Sequence, residues 1–359
     1  MDNKFVFKEN NLDLIRLFAA SQVAVLHSFE FMFAEKTGNI FFELLRLTPG
    51  VPIFFFISGY LISKSFEKTP KLIQYSKNRG LRIFPALYIC VFINILMVYA
   101  TGYLSQTDAS FWDLLKLFFA KVTFLQFYNP DFMRQFGDGV LNGSLWTICV
   151  ELQFYVLIPI IYAAFAKNNH LSNKTVIILI GLFFIANRIF SEFQYSSESG
   201  QIWFKLLKVS FLPWFYMFLV GVFFQRNSAA IYQLLRRFPT ILLFMVYIIA
   251  AITSSHYGAN IGNNLNPILF LLLSATIFKL AYTKPNLGKI LRGNDLSYGI
   301  YIWHMPIVNQ MIFLNYNQDN HHALVAIVAT ILVSSLSWAF IEKPSLTKKT
   351  YSLHPAGKK

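Results

Sequence analysis

The sequence predicts an all-α protein, a polytopic bundle of about ten transmembrane helices with both termini in the cytoplasm. Three observations carry that expectation. The 359 residues are 55% hydrophobic and 13% charged, against about 25% charged in a soluble domain. The apolar residues fall in runs close to the roughly 20 residues that a lipid core demands. The Lys and Arg residues collect in alternate gaps between those runs.

Ten runs qualify as spans: roughly 12–33, 50–66, 83–101, 144–166, 175–190, 206–226, 240–255, 265–283, 295–314 and 322–341. The second, fifth and seventh are short. The stretch 110–127 is amphipathic, with Asp113, Lys116 and Lys121, and reads as an interfacial segment. Lys4 and Lys8 precede the first run as they would in a signal peptide. Asp13 and Arg16 interrupt its start and no small-residue cleavage site follows, so it reads as a retained span. With the N-terminus inside, 22 Lys and Arg fall on the inner side and 8 on the outer, and Arg16 lies within the first span. That asymmetry puts both termini in the cytoplasm and favours an even span count. No repeat, low-complexity tract or linker divides the chain. One membrane domain is expected over 1–359, with spans from 12 to 341 and a short cytoplasmic tail, 342–359.

The net charge of +14 does not indicate a nucleic-acid partner. The positive charges occupy the short gaps where topology puts them. No zinc-finger spacing, basic helix or RNA-binding signature occurs. Cys90 and Cys149 sit inside apolar runs and read as buried small hydrophobes. They offer neither a disulfide framework nor a metal site.

A charge at the centre of a span costs about 2.5–3.5 kcal/mol on insertion scales, so each one is a candidate for function. Arg16 and His27 lie eleven residues apart, which is three turns plus about 20°. They share a face of the first helix, about 16 Å apart along it. Glu30 follows His27 by three residues, near that face. A histidine beside a carboxylate has the parts of a general base; the alternative is a polar group satisfied on an apolar face. Glu151 stands in the otherwise apolar SLWTICVELQFY, five residues after Trp146 and four before Tyr155. It must be neutral or paired, and Arg16 is a suitable partner, either as chemistry or as a brace between helices. Arg79 and Arg82 share a helix face in KNRGLR, and their guanidinium forks suit a phosphorylated ligand such as coenzyme A. In PGVPIFFFISGY, Gly50, Pro52 and Gly59 bracket a phenylalanine run. Ser58 there has no adjacent base, and packing is the better account. In LSYGIYIWHMPIV, His304 lies among Tyr298, Tyr301 and Trp303 before Pro306 and reads as part of a kinked, polar-lined helix.

Taken in order, these segments resemble the acyltransferase 3 family of integral-membrane O-acyltransferases that decorate bacterial polysaccharides. LDLIRLFAASQVAVLHS is similar to that family's opening, with its Arg-x10-His spacing at Arg16 and His27. GVPIFFFISGYL resembles its second-span motif, RGLRIFPALY its Arg-x-x-Arg segment, and SLWTICVELQFYVLIP its Trp-x4-Glu segment. LSYGIYIWHMPI and FIEKP resemble its last two span signatures. The resemblance runs from residue 12 to about 344. It implies an acyl-CoA donor, usually acetyl-CoA, and no metal. It implies His27 as the essential residue, supported by Arg16, Arg79, Arg82 and Glu151; Glu30 is an addition from the residues alone. Some relatives carry a soluble hydrolase-like domain after the last span, and none is expected in the roughly fifteen residues beyond Pro344.

The reaction expected is transfer of an acyl group from acyl-CoA to a hydroxyl of a cell-surface carbohydrate, at a bacterial inner membrane. Arg79 and Arg82 would hold the coenzyme A phosphates. Trp146, Tyr155, Tyr298 and His304 would line the substrate. His27, about 22 Å from the inner face of a ~30 Å core, would take the hydroxyl proton as it attacks the thioester, or carry the acyl group itself. A positive group or backbone N–H would steady the oxyanion. Acyl-CoA, an envelope glycan and membrane lipid are the expected partners, with self-association left open. The rival class is a transporter or flippase of a lipid-linked glycan, since buried Arg, His and Glu also serve transport; the internal symmetry common in that class is not visible.

Overall fold

Backbone in lipid has no water to bond, so apolar segments satisfy it internally as helices. The computed structural model describes residues 10–32, 40–68, 70–167, 170–194, 200–256, 263 and 265–349, and it contains no strand among them. Both termini, Phe33 of the first expected span, and Lys4, Lys8, Lys36, Lys358 and Lys359 of the charge count lie outside the described residues.

The first half of the chain forms α1 (Leu12–Met32), α2 (Ile40–Arg46), α3 (Gly50–Lys68), α4 (Leu72–Ala100), α5 (Phe111–Lys121), α6 (Trp146–Phe165) and α7 (Asn173–Gln194). The second half forms α8 (Ile202–Lys208), α9 (Phe215–Arg226), α10 (Ser228–Leu235), α11 (Thr240–His256), α12 (Pro267–Ala281), α13 (Ser297–Phe313) and α14 (Asn320–Ser337). A π-turn, Trp338–Glu342, and α15 (Lys343–Thr347) close the described chain. A helix stands at every expected span. Among the described residues six are long and apolar enough to cross a membrane, and α10 with α11 forms a pair bent by 91°. The chain is thus a multi-pass membrane protein.

The sixth expected span, 206–226, is broken. α8 ends at Lys208, and α9 has only 12 residues, about 18 Å of rise. A short helix survives at membrane depth when protein rather than lipid surrounds it, and nine of α9's residues are buried. α7 shows the opposite pattern. Its Ile177, Ile178, Leu182, Ile185 and Ile189 all face outward, a lipid-facing surface.

α9 packs most closely on α3. A Cβ on Gly59 would stand 1.9 Å from the Phe218 carbonyl oxygen, and one on Gly221 2.1 Å from that of Phe56. Helices in lipid gain little from apolar exclusion, so small residues that let backbones approach supply the contact. The Gly-Phe segment of α3 is therefore a packing motif, as its sequence suggested.

α1 lies between α3 and α13, which sets its polar stripe against α13. Pro306 inside α13 has no N–H to give the Ile302 carbonyl. Asn142 Nδ2 bonds that oxygen at 2.9 Å, and the Cys90 thiol also donates to it. Ser144 Oγ bonds the neighbouring Tyr301 carbonyl at 3.1 Å. Farther along α13, Asn309 Nδ2 donates to the Val140 carbonyl and its Oδ1 accepts from Asp138 N. The segment before α6 is thereby pinned to α13 beside the histidine.

Candidate active site

α1 carries Arg16, His27 and Glu30 along its length, but the three meet different partners. His27 Nδ1 lies 3.0 Å from His304 Nε2 on α13. His304 Nδ1 in turn lies 3.1 Å from the Ile300 carbonyl oxygen, one turn back. A carbonyl only accepts, so in the neutral pair His304 carries its proton on Nδ1 and leaves Nε2 bare. His27 must then donate from Nδ1, which leaves its own Nε2 as the bare nitrogen. The carboxylate expected at His27 is not its partner. Glu30, 60° off the His27 direction at three residues' spacing, bonds Arg46 at 3.0 Å. Arg46 also pairs with Glu43.

His27 and Glu30 both line a cavity of about 590 Å³ between α1, the start of α3, α2 and Trp146. Trp146 stacks at an angle on Trp214, ring centroids 5.5 Å apart. Glu30 and Glu43 at the mouth are exposed, and Gln22, farther in, is tied to the chain at Leu45 and Gly50.

Arg16 lies deeper. It does not meet Glu151, the partner its sequence suggested. It bonds Asp295 at 2.7 Å, and Arg82 bonds the same oxygen at 2.5 Å. Asp295 also accepts from Ser297 N and Oγ at the start of α13. A guanidinium removed from water needs a fixed anion, and α4 and α13 meet where Asp295 can serve two. Glu151 instead accepts from Ser58 Oγ at 2.9 Å and Tyr155 Oη at 2.6 Å. Arg16, Ser58, Glu151 and Tyr298 line a second pocket of about 40 Å³.

The two expected phosphate ligands are thereby separated. Arg82 is engaged by Asp295. Arg79 keeps donors to spare: its Nε has no partner among the described residues, Nη2 reaches Ser65 at 3.5 Å, and its guanidinium sits 5.9 Å from the Tyr155 ring. Lys349 is close enough to feel it: burial first, then Arg79, Arg82 and Arg16, push its ammonium down to about 8. Of the expected substrate-lining residues, Trp146 lines the large cavity and Tyr298 the small pocket. Tyr155 lines neither, and His304 stands behind His27. Sequence reasoning missed Asp295, because an Asp two residues before a helical Ser reads as an ordinary cap. It named Tyr301 only as a neighbour of His304 and passed over Thr147, to which Tyr301 is bonded at 2.6 Å.

The profile of a family described as "Acyltransferase domain", Acyl_transf_3, matches residues 9–340. The chain belongs to that family. It is 28% identical to Nodulation protein 10 of Rhizobium leguminosarum bv. viciae, over 95% of this chain and 94% of that protein. It is 27% identical to an O-acetyl transferase of Shigella phage Sf6, over 96% and 98%. It is 26% identical to the peptidoglycan O-acetyltransferase of Listeria monocytogenes, over 82% of this chain but half of that longer protein. No solved structure matches the chain. The protein is an acyltransferase, and the transporter reading falls with that.

Proposed function

We propose that this enzyme transfers an acetyl group from acetyl-CoA to a hydroxyl of a cell-surface carbohydrate such as O-antigen, capsule or exopolysaccharide, with His27 as the general base. The observation that carries the proposal is the His27–His304 pair at 3.0 Å on the wall of the large cavity. His27 Nε2 takes the acceptor's hydroxyl proton while the oxygen attacks the thioester carbonyl. The carbon–oxygen bond forms, the carbon–sulfur bond breaks, and the leaving thiolate takes the proton back from His27. His304 Nε2 accepts from His27 Nδ1 throughout, fixing the tautomer and steadying the imidazolium.

The donor enters from the cytoplasmic side. Its phosphates meet Arg79 and Lys349, while Arg16, locked with Arg82 on Asp295, lines the inner pocket. The relatives' names support O-acetylation: the phage protein is an O-acetyl transferase and the Listeria protein modifies peptidoglycan. The chain forms one membrane domain of ten spans in the bacterial inner membrane, its termini cytoplasmic, and the acceptor reaches His27 from outside. The test is mass spectrometry of envelope glycans from cells that make the protein or its His27→Ala form in equal amounts. O-acetyl groups should appear with the first and be absent with the second. Equal acetylation from both would remove His27 from the reaction.

A further inference from the structure

The large cavity and the small pocket have two lining residues in common, Val51 and Tyr301. Val51 is an aliphatic side chain without a polar handle. Tyr301 is different. Its ring is 5% exposed, stands edge-on to Phe54 at 5.6 Å and to His304 at 5.9 Å, and its hydroxyl is held 2.6 Å from Thr147 Oγ1. The mouth of the large cavity is lined by exposed Glu30 and Glu43, so that cavity opens at the surface. The small pocket, with Arg16 and Ser297 at one end and Thr147 and Tyr301 at the other, is narrow, and its wall mixes Val51, Phe54, Phe55 and Ile148 with the bonded pair Ser58 and Glu151.

We propose that Tyr301 is the partition between donor and acceptor, latched by Thr147. The inference rests on the reading that the thioester arm comes up the small pocket from the Arg16 side and the acceptor occupies the large cavity. With the ring latched, outside water does not reach the thioester. When the ring swings from Thr147, the acyl carbon meets His27 and whatever hydroxyl the cavity holds. Excluding water in this way protects a reactive group from hydrolysis. The competing reaction is defined. Water would attack the thioester carbonyl with His27 as base, its oxygen bonding the carbon as the carbon–sulfur bond breaks. The products would be acetate and the free thiol of coenzyme A, water's protons going to the thiolate and to solvent.

The test uses the full-length protein in proteoliposomes with acetyl-CoA and no acceptor, and reads thiol release. Tyr301→Ala should release thiol at least tenfold faster than the parent protein, and adding His27→Ala should return release to background. Tyr301→Phe keeps the ring and loses the latch, and Thr147→Val loses the same bond; both should fall between parent and Tyr301→Ala. Thiol release by Tyr301→Phe, Thr147→Val and Tyr301→Ala all at the parent's rate, in proteins of parental thermal stability, would overturn the partition while leaving the donor reading intact. If the parent protein bound no acetyl-CoA, the donor reading itself would fall, and the partition with it.

Discussion

A neutral imidazole has one bare nitrogen, and the neighbour of the other nitrogen decides which. In this enzyme that neighbour is a second histidine whose own tautomer is set by a helix carbonyl. The sequence placed a carboxylate beside His27 because Glu30 was close in the chain; the group that His27 meets, His304, is 277 residues away, a distance no spacing argument can see. The same holds for Arg16 and Asp295. Lys349 offers a prediction at this scale. Its ammonium, pushed down to about 8, is charged below that pH and neutral above it, and on the proposed function the donor's phosphates bind the charged form. Affinity for acetyl-CoA should therefore fall about tenfold, the worth of roughly one charge-assisted bond, as pH rises from 7 to 9. Titration calorimetry of the parent and Lys349→Met proteins checks this. The variant should bind weakly at both pH values, and an identical pH profile in the two proteins would exclude Lys349 as a phosphate ligand.

At the scale of elements, the contact of α3 with α9 decides whether the site exists. α3 brings Val51 and Ser58 to the two cavities, and its height and rotation are fixed where Gly59 and Gly221 let backbone meet backbone. Gly59→Leu puts four carbons where a carbonyl already stands. The variant should fail to give a monodisperse peak on size exclusion in detergent, whereas Gly181→Leu on α7, where an added Cβ meets nothing within 4 Å, should elute as the parent does. The helices themselves were legible from hydropathy, since lipid leaves apolar backbone little other choice. The breaks were not. α9 is short because its neighbours replace the lipid, and burial by distant helices leaves no local mark on a sequence.

For the whole molecule, the bias of Lys and Arg toward alternate gaps favours cytoplasmic termini, and the proposed function then sets donor and acceptor on opposite faces. Cys90 and Cys149 are both buried, so a cysteine added at an exposed position reports its own side. Lys77, near the start of α4, and Gln106, in the short turn Tyr103–Gln106 beyond its end, are both exposed. A membrane-impermeant maleimide applied to intact spheroplasts should label Gln106→Cys and reach Lys77→Cys only after permeabilisation. The reverse pattern would invert the topology and move the acceptor to the cytoplasm. Family and reaction class were readable because several short motifs recur in order along the chain. That Arg16 and Arg82 share Asp295 was not readable, because that cluster joins segments remote in sequence.

The most direct measurement is a double-mutant cycle on the histidine pair, read as acetyl transfer per turnover by His27→Ala, His304→Ala and the double variant. If His304 acts only by holding the His27 tautomer, its loss should cost about 10²- to 10⁴-fold. The double variant should then be no slower than His27→Ala alone, because groups that work as a unit are not additive. Losses that multiply in the double variant would contradict the account.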